Sequence, residues 1–155
     1  MKALLDTHTF LWWNLDDPAL SDRAREIIGD GRNEIFLSAA STWEIAIKAA
    51  RGRLTLPDPP AKYVAGRLNL HQFSALPIEI SHTLRVYDLP PIHTDPFDRL
   101  LIAQSQMEDL PILTRDADIK RYQVEVIWLG FLGYNCKRAG GRVAGAWWNW
   151  ELGMR

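Results

Sequence analysis

Short apolar runs alternate with helical segments along most of this chain, and that alternation limits the possible folds more than any other feature. The apolar runs that we predict as strands are residues 2–5, 34–38, 76–80, 111–114 and 124–128. Amphipathic or capped segments predict helices at residues 21–29, 41–50, 61–70, 81–89 and 96–108. Strands that alternate with helices favour a parallel sheet covered on both faces. The sequence therefore predicts an α/β domain with a parallel sheet of about five strands.

Four acidic residues stand where predicted strands end or predicted helices begin: Asp6, Glu44, Asp98 and Asp116. The carboxyl ends of parallel strands share one edge of a sheet, which is where ligands bind in such folds. We therefore expect the four carboxylates to converge. Clustered carboxylates repel one another unless a cation holds them, and oxygen ligands suit Mg²⁺ or Mn²⁺. One or two such ions support phosphodiester hydrolysis by activated water, without any other nucleophile.

Each acid also has a purely structural explanation. Asp6 and Asp116 could cap the helices that follow their strands, and Asp98 suits the first turn of a helix because of the helix dipole. Glu44 could complete a capping box that begins at Ser41. Caps do not require four carboxylates, however, since Ser, Thr or Asn would serve without mutual repulsion. We therefore favour a metal site.

Several neighbouring residues are candidates for supporting roles. Thr114 could orient a ligand carboxylate or contact phosphate, and Thr7 adjoins Asp6. The possible contacts to a nucleic-acid backbone are Lys48, Arg51, Arg53 and Arg99. A solvated helix face, with Lys48 paired to the acid four residues before it, explains part of this positive charge equally well.

Other residues of chemical interest receive more modest predictions. Asp95 is expected to cap the helix that starts at Pro96, and Asp118 receives no role. The four histidines lack metal-binding spacing, so we expect surface or packing roles for His8, His71, His82 and His93. The sequence contains no H-E-x-x-H, glycine-rich phosphate loop or nucleophile elbow. Either one of the adjacent Trp12 and Trp13 packs internally and the other is available to a partner, or a second subunit covers both. We favour burial by a partner.

Composition and chain ends place limits on the class of protein. A net charge of −1 is not that of a dedicated duplex-DNA binder. The single Cys136 fits a reducing compartment, and neither a signal peptide nor a membrane-length apolar stretch is present. We therefore expect a cytoplasmic protein with one domain over residues 1–128. Residues 129–155 contain six of the ten glycines and form either an arm that packs on a partner or a disordered or non-native extension.

Four segments and a short final strand resemble PIN-domain ribonucleases, in particular the VapC-type toxins of type II toxin–antitoxin systems. They read LLDTHTFLWW, LSAASTWEIAIKAARGRL, HTDPFDRLLIAQSQ, LPILTRDADIKRY and VIW, in the right order across residues 1–128. The resemblance implies a three-layer α/β/α fold with an acidic Mg²⁺ or Mn²⁺ pocket. It implies that Asp6 and Asp98 are the principal metal ligands, and that Glu44 and Asp116 bind a second ion or orient water.

The same resemblance implies cleavage of single-stranded RNA, a homodimer, and inhibition by a small antitoxin whose C-terminal segment occupies the pocket. Two other functions fit the acidic layout. One is a different metal-dependent phosphoesterase, such as a DNA nuclease or a phosphatase. The other is a non-catalytic binding module whose acids serve only as caps.

Overall fold

The computed structural model describes residues 1–128, which form five strands and six α-helices, with two α-helices between each pair of successive strands from the first to the fourth. The strands are β1 (Lys2–Leu5), β2 (Glu34–Ser38), β3 (Ser74–Leu76), β4 (Ile112–Leu113) and β5 (Val126–Ile127). The helices are α1 (Thr7–Leu15), α2 (Asp22–Gly29), α3 (Ala39–Ala50), α4 (Pro60–His71), α5 (Ile80–Arg85) and α6 (Pro96–Glu108). The predictions for Cys136 and for residues 129–155 lie outside the described residues.

The five strands form one parallel sheet in the order β3-β2-β1-β4-β5. From β1 the chain first builds outward through β2 and β3, and it then crosses to the other side of β1 to add β4 and β5. The strand order therefore reverses between β1 and β4, which places the expected ligand crevice beyond the carboxyl ends of these two strands. The predicted α/β fold with a parallel sheet of about five strands is confirmed.

Successive side chains of the central strands point to opposite faces of the sheet and enter two separate cores. Leu4 and Ile112 pack in the core that contains much of α6, whereas Leu5 and Leu113 pack in the core that contains parts of α1, α2 and α4. Helices therefore cover both faces. The domain has the three layers that the sequence resemblance implied.

Some predicted boundaries were wrong. Helix α3 begins at Ala39 because the Ser38 side chain caps it by accepting the Ala40 amide at 2.9 Å. The capping box proposed for Ser41 and Glu44 therefore does not exist, and both residues are buried within the helix.

Two further boundaries shift near the third strand. Strand β3 spans Ser74–Leu76 rather than residues 76–80, since Gln72 adopts a left-handed conformation with φ 55° that ends α4 and leads directly into the strand. Helix α5 ends at Arg85 and continues as a 3₁₀ turn, Val86–Asp88, instead of an α-helix to residue 89.

The adjacent tryptophans both pack within their own chain. Trp13 lies edge-on to His71, with ring centroids 5.6 Å apart, and Trp12 lies against Trp128 at 5.9 Å. Both rings are half-buried, so each is partly covered by its own chain, and burial of the remaining area by a partner stays a prediction. None of the helices in residues 1–128 has the length and apolar character needed to cross a bilayer.

Candidate metal centre

Asp6 lies at the carboxyl end of β1 and is almost fully buried. Its side chain caps α1 by accepting the His8 amide at 3.2 Å, and its Oδ2 accepts the Thr114 hydroxyl at 2.7 Å. Burial alone raises the pKa of Asp6, but the neighbouring His8 side chain and the Thr114 hydroxyl outweigh it and lower the pKa. The carboxylate is therefore held in its charged form.

Asp98 lies in the first turn of α6, one residue after Phe97, whose amide donates to the N-cap Asp95 at 2.8 Å. The expected capping role of Asp95 is confirmed. Burial, followed by the negative charges of its acidic neighbours, raises the pKa of Asp98 to about 9. Those neighbours are Asp6, Asp95, Glu44 and Asp116. The structure thus brings Asp6, Glu44 and Asp116 close enough for their charges to act on Asp98.

Asp116 follows β4 and has two structural tasks. Its Oδ1 accepts the amides of Asp118 and Ile119 at 2.6 and 3.2 Å, and its own amide donates to the Thr114 hydroxyl at 3.0 Å. Because the same Thr114 hydroxyl donates to Asp6, it connects the ends of β1 and β4. Asp116 is therefore both a local cap and a member of the acidic group, by which we mean Asp6, Glu44, Asp98 and Asp116.

Glu44 projects from α3 and is nearly fully buried. Its Oε1 lies 2.5 Å from Nζ of Lys48, one turn later on the helix. His8 is near enough to this pair for both charges to act on it: burial lowers the pKa of His8, but Asp6 and Glu44 outweigh burial and Lys48, so that the pKa is raised. Lys48 therefore offsets negative charge at the site instead of lying along a fully solvated face.

Two histidines that we expected to serve only as surface or packing residues lie in the acidic group. His8 adjoins Asp6, with its Nδ1 3.9 Å from the carboxylate. His93 lies deeper, and its ring forms a group with Asp98 and Asp116 whose potential ligand atoms are all within 4.8 Å of one another. The expectation was therefore wrong for these two residues. The only sequence signal for His93 was its position two residues before the N-cap of α6.

The other supporting candidates differ in their surroundings. Arg51 and Arg53 are exposed after α3. Arg99 is occupied instead with main-chain carbonyls, at 2.9 Å for Val86, 3.1 Å for Leu89 and 2.8 Å for Pro90. These hydrogen bonds hold the segment before α6 in place, so the guanidinium is not available to contact RNA.

Thr7 and Asp118 are the other two residues near the acids that the sequence analysis discussed. The Thr7 hydroxyl oxygen is buried and has no hydrogen-bond partner within residues 1–128. Asp118, to which the sequence assigned no role, forms a surface ion pair with Arg121 at 3.0 Å.

The residues present fit a divalent cation. Four carboxylates supply the oxygen donors that Mg²⁺ and Mn²⁺ prefer, and Asp98 becomes ionised at neutral pH only if positive charge offsets its acidic neighbours. Lys48 pairs with Glu44 and offsets part of the negative charge. The acids around Asp98 therefore suit a bound divalent cation.

The family model of the PIN domain matches residues 3–125, and the fold and the acidic edge of the sheet agree with it. The chain therefore belongs to the PIN domain family. PIN domains use divalent metals, in agreement with the donor set described above.

Similarity to individual proteins is more limited in extent. Over 62 residues the chain is 45% identical to Ribonuclease VapC16 from Mycobacterium tuberculosis, a match that spans 40% of this chain and 44% of that protein. The fold is similar to VapBC2 from Rickettsia felis bound to a promoter DNA fragment, with a TM-score of 0.59 and 13% identity over 81% of this chain and 96% of the other. FitAcB from Neisseria gonorrhoeae has a TM-score of 0.55 at 22% identity, with the same coverage.

Proposed function

We propose that the protein is a metal-dependent endoribonuclease that cleaves single-stranded RNA and acts as the toxin of a toxin–antitoxin pair. The observation that carries the proposal is that Asp98 and Asp116 can present ligand atoms within 4.8 Å of each other, while the charges of Asp6, Glu44 and Asp116 all act on the partly buried Asp98 carboxyl. Membership of the PIN family and local identity to a ribonuclease support the nuclease chemistry. The toxin assignment is supported by the similarity to VapC16 and to the toxin–antitoxin folds.

Asp6 and Asp98 are the proposed principal ligands of Mg²⁺ or Mn²⁺, with Glu44 and Asp116 holding a second ion or orienting water. Such an ion, when bound, lowers the pKa of water and offsets charge on the phosphodiester. The chain contributes by preorganising its oxygens: Thr114 directs Asp6, and the amides of the turn at residues 118–119 direct Asp116. These bonds exist before any substrate arrives, so little reorganisation is required at the moment of cleavage.

Basic residues near α3 are the proposed contacts to RNA. Lys48 lies in the acidic group itself, and Arg51 and Arg53 extend positive charge along the exposed end of the helix. Phosphate contacts of this kind position a nucleic acid without reading its sequence. We do not assign such a contact to Arg99, because its guanidinium is already bonded to main-chain carbonyls.

The remaining parts of the proposal concern location and partners. We propose a cytoplasmic homodimer that a cognate antitoxin inhibits by covering the acidic site. Solved structures of similar fold include complexes such as VapBC2, which supports an antitoxin partner. Size-exclusion chromatography with light scattering tests the dimer: a monomeric mass at micromolar concentration would contradict it.

The decisive experiment is cleavage of a mixed pool of single-stranded RNA by purified protein. Wild type, Asp6→Asn and Asp98→Asn are compared with Mg²⁺, with Mn²⁺ and with EDTA. Asp109→Asn serves as a matched control, because it makes the same exchange at the exposed far end of the helix that carries Asp98. We expect metal-dependent cleavage by wild type and the control, and none by the two site variants.

Parallel substrates separate the alternative functions. Single-stranded DNA and p-nitrophenyl phosphate are tested under the same conditions. Cleavage of either in preference to RNA would replace the ribonuclease with another metal-dependent phosphoesterase. Two results would favour a binding module whose acids are caps. One is activity of both site variants equal to that of wild type. The other is no cleavage of any substrate together with a thermal stability of the protein that does not depend on metal.

A further inference from the structure

His93 lies against Asp98 and Asp116, yet the proposed function gives it no task. Its Nε2 is 3.2 Å from Oδ2 of Asp98 and 3.4 Å from Oδ2 of Asp116, and the side chain is only 10% exposed. Two roles fit these distances. His93 either coordinates a metal through Nε2, beside the two carboxylates, or donates a hydrogen bond from Nε2 to them.

The other ring nitrogen distinguishes the two roles. Nδ1 of His93 accepts a hydrogen bond from the main-chain amide of Asp95 at 3.1 Å. A ring nitrogen that accepts a hydrogen bond carries no proton, so the proton of the neutral ring is on Nε2. Nε2 then has no free lone pair for a metal and instead directs an N–H between the two carboxylates. Coordination through Nε2 would require the proton to move to Nδ1, where it would oppose the Asp95 amide.

Surrounding residues hold the ring in this orientation. The His93 amide donates to the Tyr122 hydroxyl at 2.7 Å, and that hydroxyl donates to the Pro90 carbonyl at 3.0 Å. Arg99 donates to the carbonyls of both Pro90 and His93, at 2.8 and 3.4 Å. The main chain on each side of the imidazole is therefore fixed, and a rotated ring would leave the Asp95 amide without its acceptor.

We propose that His93 is a positioning residue that donates its Nε2–H to the carboxylates of Asp98 and Asp116 and is not itself a metal ligand. The inference deepens the proposed function, since it rests on those carboxylates holding the metal. A hydrogen bond to a ligating carboxylate orients it, and loss of such a bond typically weakens metal affinity by about 10- to 100-fold. The donor set is then all oxygen, which selects Mg²⁺ or Mn²⁺ over Zn²⁺.

The ring protonation can be measured directly. Long-range ¹H–¹⁵N NMR correlations of ¹⁵N-labelled protein report which imidazole nitrogens carry protons, before and after Mg²⁺ is added. We expect Nδ1 of His93 to be unprotonated and Nε2 to be protonated in both samples. A protonated Nδ1, or an Nε2 that loses its proton when Mg²⁺ binds, would overturn the proposal.

Metal affinity provides the second measurement. Titration calorimetry with Mn²⁺ compares wild type, His93→Ala and His93→Gln, because the glutamine amide keeps an N–H donor at similar reach. His71→Gln is the matched control outside the site, and thermal unfolding checks that every variant folds. We expect the alanine variant to bind Mn²⁺ about 10- to 100-fold more weakly and the glutamine variant to stay within a few-fold of wild type.

The outcomes separate this inference from the proposed function. Unchanged affinity in His93→Ala, or an equal loss in both His93 variants, would refute a positioning donor. No binding of Mn²⁺ by wild type would instead refute the metal-dependent function. The NMR measurement on metal-free protein tests the hydrogen bond of His93 independently of whether the protein is a nuclease.

Discussion

Replacing Asp98 by asparagine should stabilise the metal-free protein while abolishing its activity. The Asp98 side chain is only 21% exposed, and burial together with the surrounding acids raises its pKa from 3.8 to about 9. At neutral pH this carboxyl is therefore protonated in the folded chain and ionised in the unfolded chain. Ionisation favours the unfolded state, so the wild type loses stability as pH rises from about 4 towards 9. Asparagine cannot ionise and avoids this loss.

The size of the effect follows from the same pKa values. Each pH unit between 3.8 and 7 costs the wild type about 1.4 kcal/mol, which amounts to on the order of 4 kcal/mol at pH 7. The protonated Asp98 carboxyl of the folded wild type also keeps its contact with the His93 ring, 3.2 Å away, which the asparagine amide reproduces only in part. We therefore expect Asp98→Asn to raise the free energy of unfolding by about 2 to 4 kcal/mol at pH 7.

Urea unfolding in EDTA measures this gain at about pH 7 and at about pH 5, where it should fall by more than half. Asp109→Asn is the control, since Asp109 is exposed at the end of the same helix and its replacement should change stability by less than about 1 kcal/mol. Saturating Mg²⁺ should stabilise wild type but not Asp98→Asn, because only the former supplies the ligand. A gain that is absent at pH 7, or equal at both pH values, would refute the reasoning.

Three other substitutions test contacts around the site. Thr114→Val removes the hydroxyl that donates to Asp6 at 2.7 Å, and should lower the free energy of unfolding by about 1 to 3 kcal/mol in urea, whereas Thr114→Ser should not; equal stability of the two variants would contradict this role. Burial lowers the pKa of His71, so its contribution to stability is present above about pH 6.5 and is lost as pH falls through the folded value. His71→Gln should lack this pH-dependent contribution to the free energy of unfolding. If the free energy of unfolding of the variant depends on pH as that of wild type does, the assigned role of His71 is wrong. Arg99→Lys should lower the free energy of unfolding by about 1 to 3 kcal/mol and speed amide exchange in residues 86–93. The reason is that an ammonium cannot reach the several carbonyls that the guanidinium binds. Exchange rates equal to those of wild type would argue that Arg99 does not hold this segment in place.

Local patterns in the sequence were sufficient for the fold class and for part of the site. Strand and helix periodicities depend on near neighbours, so the alternation of elements was readable and led to a parallel sheet. Asp6 and Asp116 were found because each follows an apolar run, and the cap at Asp95 because Pro96 comes next. The error at α3 was also local, since both Ser38 and Ser41 suit an N-cap and only the packing of Ser41 and Glu44 inside the domain decides between them.

Tertiary structure decided which residues meet at the site. The Thr114 hydroxyl and Asp6 are 108 residues apart, and His93 and Asp116 are 23 apart, so no local spacing predicts either contact. Arg99 was predicted to contact RNA because the sequence does not reveal its carbonyl partners. Those partners belong to a segment whose path is set only by folding. By itself the sequence determined the strands, the helices and the acids at their ends. Only packing of the layers determined the direction of each side chain, because that direction depends on contacts between elements that are distant along the chain.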